Sequence, residues 1–366
     1  MGARSYLDSP ERDVPVSLAR FLKDLYVHRV SVVIPTFNRA DMLASTIDRI
    51  ESQSVSRDSY EVLVVNNNSS DHTQSVLKQK AAIYPNLRVF NQVKPGAAAT
   101  RNIGIKAASG DIVLFIDDDI SAEPGLVEGH LQYHRQNGDS SIVGTVMSPW
   151  EKSNDPFLRY LRDKGIFNPY SIACDRPMDF SYYHTGNVST SRKLLSEVGG
   201  FNEEFFVYGM EDIELGYRLE KKGCRMTPGP AAKALHEYFP TYQQFVARCQ
   251  QAGYSLGKLI ELHPELRTRF TESGRRTHML KRLHVGYRVM LSVFDPVFEG
   301  LIGWEMRRGT GKVNPALDQH YYWGIRYHFF LGYREYVRSA ENGQARGHVP
   351  KTGNRTIPNL AIGRHD

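Results

Sequence analysis

Cysteine is scarce in this chain, which has only three among 366 residues: Cys174, Cys224 and Cys249. They are odd in number, lie far apart and never form a Cys-x-x-Cys pair. This usage argues against a disulfide framework and against structural zinc, and it favours a reducing compartment.

Long apolar runs are also missing. No stretch of about 18 apolar residues occurs, so no membrane-spanning helix is expected. Residues 1–8 lack the apolar core of a secretory signal. We therefore expect a cytoplasmic protein, with contact at the inner face of the membrane as an open alternative.

Acidic residues are sparse only in the C-terminal third. Residues 240–366 hold 19 Lys/Arg and 10 Asp/Glu, a net charge of +9, whereas residues 1–239 hold 27 and 30. A basic region suits an anionic lipid, a nucleic acid or a phosphorylated acceptor, but it is also found on surfaces that bind nothing. We retain a peripheral membrane contact and predict no nucleic-acid partner. The sequence carries no signal for an oligomeric state.

The aromatic and basic stretch 321–330 has two interpretations. Tyr and Trp are typical of membrane interfaces, so this stretch could lie at the headgroup level. The alternative is a helix packed on the catalytic domain.

Strand and helix patterns alternate over residues 30–147. Apolar strands are predicted at 30–34, 61–65, 87–90, 111–116 and 142–146, with helices between them. Asn38 and Asp71 are predicted to cap two of these helices. Such repetition indicates an α/β fold with a mostly parallel, doubly wound sheet. Residues 148–182 look irregular, and the chain looks helical from about 241.

Three consecutive carboxylates, Asp117, Asp118 and Asp119, follow the apolar strand that ends at Ile116. Adjacent acids repel one another, and partial burial increases that cost. A hard divalent cation would relieve it, and open α/β sheets bind ligands at the carboxyl ends of their strands. The triplet therefore predicts a metal site, with a solvated acidic turn as the alternative.

Seven segments, in order, resemble the motifs of family 2 glycosyltransferases of GT-A fold. The resemblance covers about residues 29–240. The segments are 32–39 (VVIPTFNR), 65–71 (VNNNSSD), 96–102 (GAAATRN), 117–119 (DDD), 185–187 (TGN), 199–203 (GGFNE) and 209–215 (GMEDIEL).

The resemblance implies a binding site for a nucleotide-sugar donor. The implied donor-binding residues are Pro35, Thr36, Phe37, Asn38, Arg39, Asn66, Asn67, Arg101, Asn102, Asp117, Asp118, Thr185, Gly186 and Asn187. The family usually has an acid where Asn66 and Asn67 stand, and this departure leaves the donor base open. The alternative for Arg101 is an ordinary exposed helical arginine.

The resemblance also implies a cation site and a catalytic base. In the family's Asp-x-Asp pattern, Asp119 is the expected direct ligand of Mn²⁺ or Mg²⁺, and Asp117 is a second ligand or a partner of the ribose. His236 is a further implied ligand, with a structural histidine as the alternative. Asp212, or else Glu211, would deprotonate the acceptor hydroxyl. A helix cap is the alternative for these two, because carboxylates stabilise helix N-termini.

Together these observations predict a metal-dependent, inverting glycosyltransferase, with UDP as the favoured nucleotide of the donor. The acceptor would be a carbohydrate, a lipid-linked sugar or another hydroxyl compound. The alternatives are a non-catalytic nucleotide-sugar-binding or scaffolding subunit and a sugar-phosphate nucleotidyltransferase. The predicted organisation is an extension at 1–28, a catalytic domain at 29–240 with halves at about 29–120 and 121–240, helices at 241–341, and a disordered tail at 342–366.

Overall fold

The computed structural model describes residues 29–93, 96–150, 153–166, 178–271, 297–298, 300–309 and 313–342. The predicted extension 1–28, most of the tail and Cys174 lie outside these residues. Within the described ranges, Cys224 and Cys249 are free thiols.

The described residues form one eight-stranded mixed sheet. Its order is β3-β2-β1-β4-β7-β6-β8-β5. The strands are β1 Val30–Thr36, β2 Tyr60–Asn66, β3 Leu87–Asn91, β4 Ile112–Ile116, β5 Ile120–Ala122, β6 Ser140–Met147, β7 Asn187–Ser191 and β8 Arg225–His236.

Helices cover both faces of this sheet. They are α1 Ala40–Glu51, α2 Thr73–Ile83, α3 Ala97–Ala107, α4 Leu126–Asn137, α5 Pro156–Asp163, α6 Arg192–Glu197, α7 Glu211–Lys221, α8 Tyr242–Leu262, α9 Arg267–Thr271 and α10 Pro315–Glu341. A further α-helical segment lies at 300–308. None of the described helices has the length and hydropathy needed to cross a membrane.

The order of the first four strands brings the acidic triplet beside the loop that follows β1. β1 pairs in parallel with β2 on one side and with β4 on the other. The chain therefore reverses its winding direction between β1 and β4, and a crevice opens at their carboxyl ends. Thr36 and Asp117 stand at the two sides of this crevice.

Successive side chains of each strand point to opposite faces of the sheet and contribute to two hydrophobic cores. Val32 and Ile34 pack on one face with Leu43, Ile47 and Ile50 of α1. Val33 and Phe115 are among the residues of the opposite core, which includes Leu215 of α7. The two faces explain why these strands read as continuous apolar runs.

The predicted fold class is confirmed, but the sheet is less parallel than expected. β7 pairs antiparallel with both β4 and β6, and β5 pairs antiparallel with β8. β7 was not predicted as a strand, because its sequence Asn-Val-Ser-Thr-Ser is polar. Its hydroxyls are satisfied inside the protein: Thr190 Oγ1 lies 2.8 Å from Ser141 Oγ, and Ser189 Oγ lies 2.8 Å from His130 Nδ1.

The predicted cap of α1 was wrong in its position. Arg39 stands at the N-cap, and Asn38 precedes it with a positive φ of 52°. Asn38 instead joins two loops, since its Oδ1 accepts a hydrogen bond from the Ser70 N–H at 2.7 Å. Asp71 accepts hydrogen bonds from the N–H groups of Ala40 and Thr73, so it serves both helices.

Helices α8 and α10 pack closely through glycine. A Cβ on Gly332 would lie 1.7 Å from the carbonyl oxygen of Gln250, and one on Gly253 would lie 1.9 Å from that of Phe329. Of the aromatic stretch 321–330, Tyr321, Tyr327 and Phe330 are buried. The packed-helix interpretation therefore describes these three side chains.

Candidate active site

Arg39 and Thr36 hold the last two acids of the triplet. Arg39 Nη1 lies 2.9 Å from Asp118 Oδ1 and 2.7 Å from Asp119 Oδ2. Thr36 Oγ1 donates a hydrogen bond to Asp118 Oδ2 at 2.8 Å. Both carboxylates are buried, at 6% and 4% exposure. Burial, only partly offset by Arg39, raises the pKa of Asp118 to about 6.

Asp119 is paired on its other side with His236. Although burial opposes its ionisation, hydrogen bonding and charge from His236 and then Arg39 hold the pKa of Asp119 well below its usual range. The pairing of β5 with β8 sets Ile120 opposite His236, and this register brings the imidazole to the triplet. Nε2 of His236 lies 3.2 Å from Oδ1 of Asp119.

Asp119 and His236 have the spacing of two adjacent ligands of one octahedral cation. Two atoms bound at right angles to one octahedral cation are about 3 Å apart, because each bond is about 2.1 Å long. Oδ1 of Asp119 is also buried without a well-directed hydrogen bond. A mixed oxygen and imidazole donor set suits Mn²⁺ better than Mg²⁺. Across the described ranges, no three His, Cys, Asp or Glu side chains could hold a metal alone.

Arg101 joins the triplet to Glu211, the second candidate for the base. Its Nη2 lies 2.8 Å from Asp117 Oδ1, and its Nη1 lies 3.0 Å from Glu211 Oε1. The guanidinium is buried and stands over the ring of Phe201 at 5.7 Å. Arg101 is therefore not an ordinary exposed helical arginine.

Glu211 and Asp212 differ in their surroundings, although they are neighbours at the start of α7. Burial, with repulsion from Asp212, raises the pKa of Glu211 to about 7. Burial also opposes ionisation of Asp212, but a hydrogen bond and the charge of His184 lower its pKa. Asp212 is thus the better ionised of the two near neutral pH.

A cavity of about 420 Å³ lies against these groups. Its polar lining residues include Arg101, Asp117, His184, Glu211, Asp212 and His236, and its apolar ones include Ile120, Val146, Ile166, Met210, Ala252 and Phe270. His236, the imidazole of the proposed cation site, and the predicted base Asp212 therefore line one cavity.

The residues predicted for the nucleotide flank the crevice on the other side of the triplet. Phe37 is 52% exposed there. The amide of Asn66 is used internally, by Gln74, Asn91 and the N–H of Ser69. The side-chain oxygen of Asn67 is buried without a hydrogen-bond partner, and Asn67 N–H donates to the carbonyl of Thr36 at 2.8 Å. Asn67 is therefore better placed than Asn66 to receive a ligand.

Two further residues that were predicted to bind the sugar donor make contacts within the protein. Asn187 is 2% exposed, and its Nδ2 donates to the carbonyls of Ala232 and Thr145. The amide of Asn102 binds both N–H and C=O of Phe201. These side chains hold the walls of the site. Thr185 and Gly186 line the cavity.

His184 was not predicted. It immediately precedes the Thr185-Gly186-Asn187 motif, and its Nδ1 lies 3.4 Å from Asp212 Oδ2. No spacing rule in the sequence connects residues 28 positions apart, so only the fold reveals this pair.

The fold and the family matches together identify a glycosyltransferase region of GT-A fold. Residues 31–199 match the family model described as "Glycosyl transferase family 2", and residues 170–244 match the model described as "N-terminal domain of galactosyltransferase". The chain therefore contains a glycosyltransferase family 2 region over residues 31–199, and this match confirms the predicted enzyme class.

Relatives with known names are also glycosyltransferases. The chain is 28% identical over 251 residues to a chondroitin synthase of Escherichia coli, covering 60% of this chain and 36% of that protein. It is 29% identical over 265 residues to validoxylamine A glucosyltransferase of Streptomyces hygroscopicus subsp. jinggangensis, covering 66% and 62%. The chain thus spans less than two thirds of each of these relatives.

A solved structure shares the fold. The mannosyltransferase PcManGT of Pyrobaculum calidifontis, solved with GDP-Man and Mn²⁺, matches with a TM-score of 0.56 and 17% identity. The match covers 88% of this chain and 94% of that one.

Proposed function

We propose that this enzyme transfers a sugar, with inversion, from a nucleotide-diphosphate donor to an acceptor hydroxyl, with a divalent cation bound at Asp119 and His236. The observation that carries the proposal is the charge of the site. Five carboxylates (Asp117, Asp118, Asp119, Glu211 and Asp212) surround the crevice and cavity, and their ion pairs with arginine involve Arg39 and Arg101. This excess of negative charge suits a cation better than it suits a bare diphosphate.

The donor would span the triplet. Its base and ribose would lie near Pro35, Phe37 and Asn67, and its sugar would enter the cavity beside Gly186. The cation, when bound, would supply charge neutralisation of the departing diphosphate. Asp117, half-buried and bound to Arg101, is placed to meet the ribose or to add a ligand.

Asp212 is the proposed base. It is ionised, lies at the cavity wall and stands at the N-terminus of α7, where the helix dipole favours a carboxylate. It would take the proton of the acceptor hydroxyl as the oxygen attacks the anomeric carbon. Glu211, about half protonated at pH 7 and bound to Arg101, is less suited to that role.

We propose UDP as the donor nucleotide, with GDP as the second candidate because PcManGT was solved with GDP-Man and Mn²⁺. A carbohydrate or lipid-linked hydroxyl compound is the proposed acceptor, and the proposed location is cytoplasmic, with peripheral membrane contact.

Binding and turnover test the proposal separately. Thermal shifts with UDP, GDP and dTDP, each with and without Mn²⁺, identify the nucleotide. Release of nucleotide from UDP-glucose, UDP-N-acetylglucosamine, UDP-galactose and GDP-mannose then reports turnover. We expect cation-dependent binding that Asp119→Asn weakens, and turnover that Asp212→Asn abolishes while binding persists. Wild-type turnover by a variant that carries both Asp119→Asn and Asp212→Asn would refute the proposal.

A further inference from the structure

His184 and Asp212 form a pair at the cavity wall. Nδ1 of His184 lies 3.4 Å from Oδ2 of Asp212, and both residues line the cavity. The His184 side chain is 45% exposed, whereas that of Asp212 is 17% exposed. The other carboxylate oxygen of Asp212, Oδ1, accepts a hydrogen bond from the N–H of Ile213 at 2.8 Å. Each carboxylate oxygen of Asp212 thus has a hydrogen-bonding nitrogen beside it.

The backbone around His184 is fixed to the helix that carries Asp212. The neighbouring Tyr183 is fully buried, and its hydroxyl lies 3.0 Å from Oγ1 of Thr190 in β7. A Cβ on Gly216, one turn after Asp212 in α7, would lie 2.6 Å from Cβ of Tyr183. This close approach sets the distance between the two elements, and with it the distance between His184 and Asp212.

The charges around the pair favour the ionised carboxylate. Burial disfavours a charged His184, but the hydrogen bond and charge of Asp212, followed by the charges of Glu211 and Asp117, raise its pKa. Arg101 faces Asp212 from α3 and also favours its ionised form. A donor at Oδ2 therefore stabilises the charge on Asp212 that deprotonation of an acceptor requires.

We infer that His184 is a positioning residue that donates its Nδ1–H to Asp212, orients the carboxylate toward the cavity and keeps it ionised. The inference rests on the proposed role of Asp212. In the transfer step the O–H bond of the acceptor breaks and its proton passes to Asp212. The acceptor oxygen bonds to the anomeric carbon, and the electron pair of the broken carbon–oxygen bond leaves with the diphosphate. His184 keeps its proton throughout.

Two substitutions separate orientation from proton transfer. His184→Ala removes the donor, whereas His184→Asn retains an amide N–H near the position of Nδ1 but cannot act as a base. We expect His184→Ala to lower kcat roughly tenfold to hundredfold, the range for losing a hydrogen bond to a charged group, with an unchanged KM for the donor. His184→Asn should recover most of kcat.

The pH profile gives a second readout. Without His184 the pKa of Asp212 rises, so the acidic limb of kcat/KM should move to higher pH in His184→Ala and return toward the wild-type position in His184→Asn. Turnover is measured as nucleotide release from the four sugar nucleotides above. Thermal shift with UDP and Mn²⁺ verifies that each variant is folded and binds.

The outcomes are distinct. Wild-type kcat and an unmoved acidic limb in His184→Ala would overturn the inference and leave the proposed function intact. If His184→Asn is as inactive as His184→Ala, His184 takes the proton itself and the positioning role is wrong. Full turnover by Asp212→Asn would instead overturn the proposed function.

Discussion

Replacing Arg39 by alanine should destabilise the protein strongly, because Arg39 pairs with two adjacent buried carboxylates. It lies 2.9 Å from Asp118 and 2.7 Å from Asp119, whose side chains are 8% and 4% exposed. Removing one partner of a buried ion pair costs about 3–5 kcal/mol. Protonation of Asp118, whose pKa burial already raises to about 6, limits the loss. We therefore expect a cost of about 3 kcal/mol near pH 7.5.

The cost should depend on pH in a defined direction. At pH 5.5 Asp118 is mostly protonated even in the wild type, so loss of Arg39 removes the partner of one charged carboxylate rather than of two. The difference in the free energy of unfolding between Arg39→Ala and the wild type should therefore be smaller at pH 5.5 than at pH 8. Urea unfolding at both pH values measures it.

Manganese should restore part of the lost stability. A ligand that binds only the folded state stabilises it by an amount that grows with the logarithm of its concentration relative to its Kd. Arg39→Ala leaves more negative charge beside Asp119 for the cation to neutralise. The Mn²⁺-induced rise in melting temperature should thus be larger in Arg39→Ala than in the wild type.

The matched control is Arg49→Ala, on the exposed side of the same helix. It removes a cation near the helix C-terminus and should cost no more than about 1 kcal/mol. Equal unfolding free energies for Arg39→Ala and Arg49→Ala would refute the reasoning, and so would a pH-independent difference between Arg39→Ala and the wild type.

Three further substitutions test other contacts. Burial opposes ionisation of Glu61, yet hydrogen bonds from Ser109, Ser31 and Arg88 lower its pKa to about 2. Ionised Glu61 therefore contributes about 3 kcal/mol to the free energy of unfolding above pH 4.5, and this contribution is lost as the pH falls toward 2. The stability gap between Glu61→Gln and the wild type in urea should accordingly narrow over that interval. Gly332→Ala should lower the free energy of unfolding by about 1–3 kcal/mol, because the added Cβ would meet the Gln250 carbonyl. The control Gly303→Ala, whose Cβ would lie 3.6 Å from the nearest atom, should be neutral or stabilising. Equal melting temperatures of the two variants would contradict this prediction. Phe37→Ala should leave the melting temperature unchanged and weaken UDP binding roughly tenfold by calorimetry, if the exposed ring stacks on the base; unaltered affinity would exclude stacking.

Sequence patterns predicted the first half of the sheet because its strands are buried on both faces. Val30–Thr36, Tyr60–Asn66 and Ile112–Ile116 are apolar runs bounded by turn residues, and the acids after Ile116 mark the ligand edge. The strand Asn187–Ser191 was missed for the opposite reason. Its polar side chains are paired with residues of β6 and α4 that no local pattern connects to it.

The roles of the site residues were harder to predict than their positions. Arg39 and Arg101 were assigned to the donor, but the structure shows both in ion pairs with the acids. Asn187 was assigned to the sugar loop, yet its amide supports the backbone of β6 and β8. His184 had no signal in the sequence. Each of these depends on contacts between distant segments, which spacing along the chain does not encode.

The packing of α8 defines where the folding unit ends. The family matches end at residue 244, near the start of this helix. Leu256, Leu259 and Ile260 nevertheless share a core with Phe205 and Ile213, which flank the predicted base. Since α10 covers α8 through Gly253 and Gly332, a fragment cut at residue 244 would expose Phe205 and Ile213 to solvent. Truncation at the family boundary should therefore yield a product that aggregates, whereas a chain that continues through residue 341 keeps this core covered.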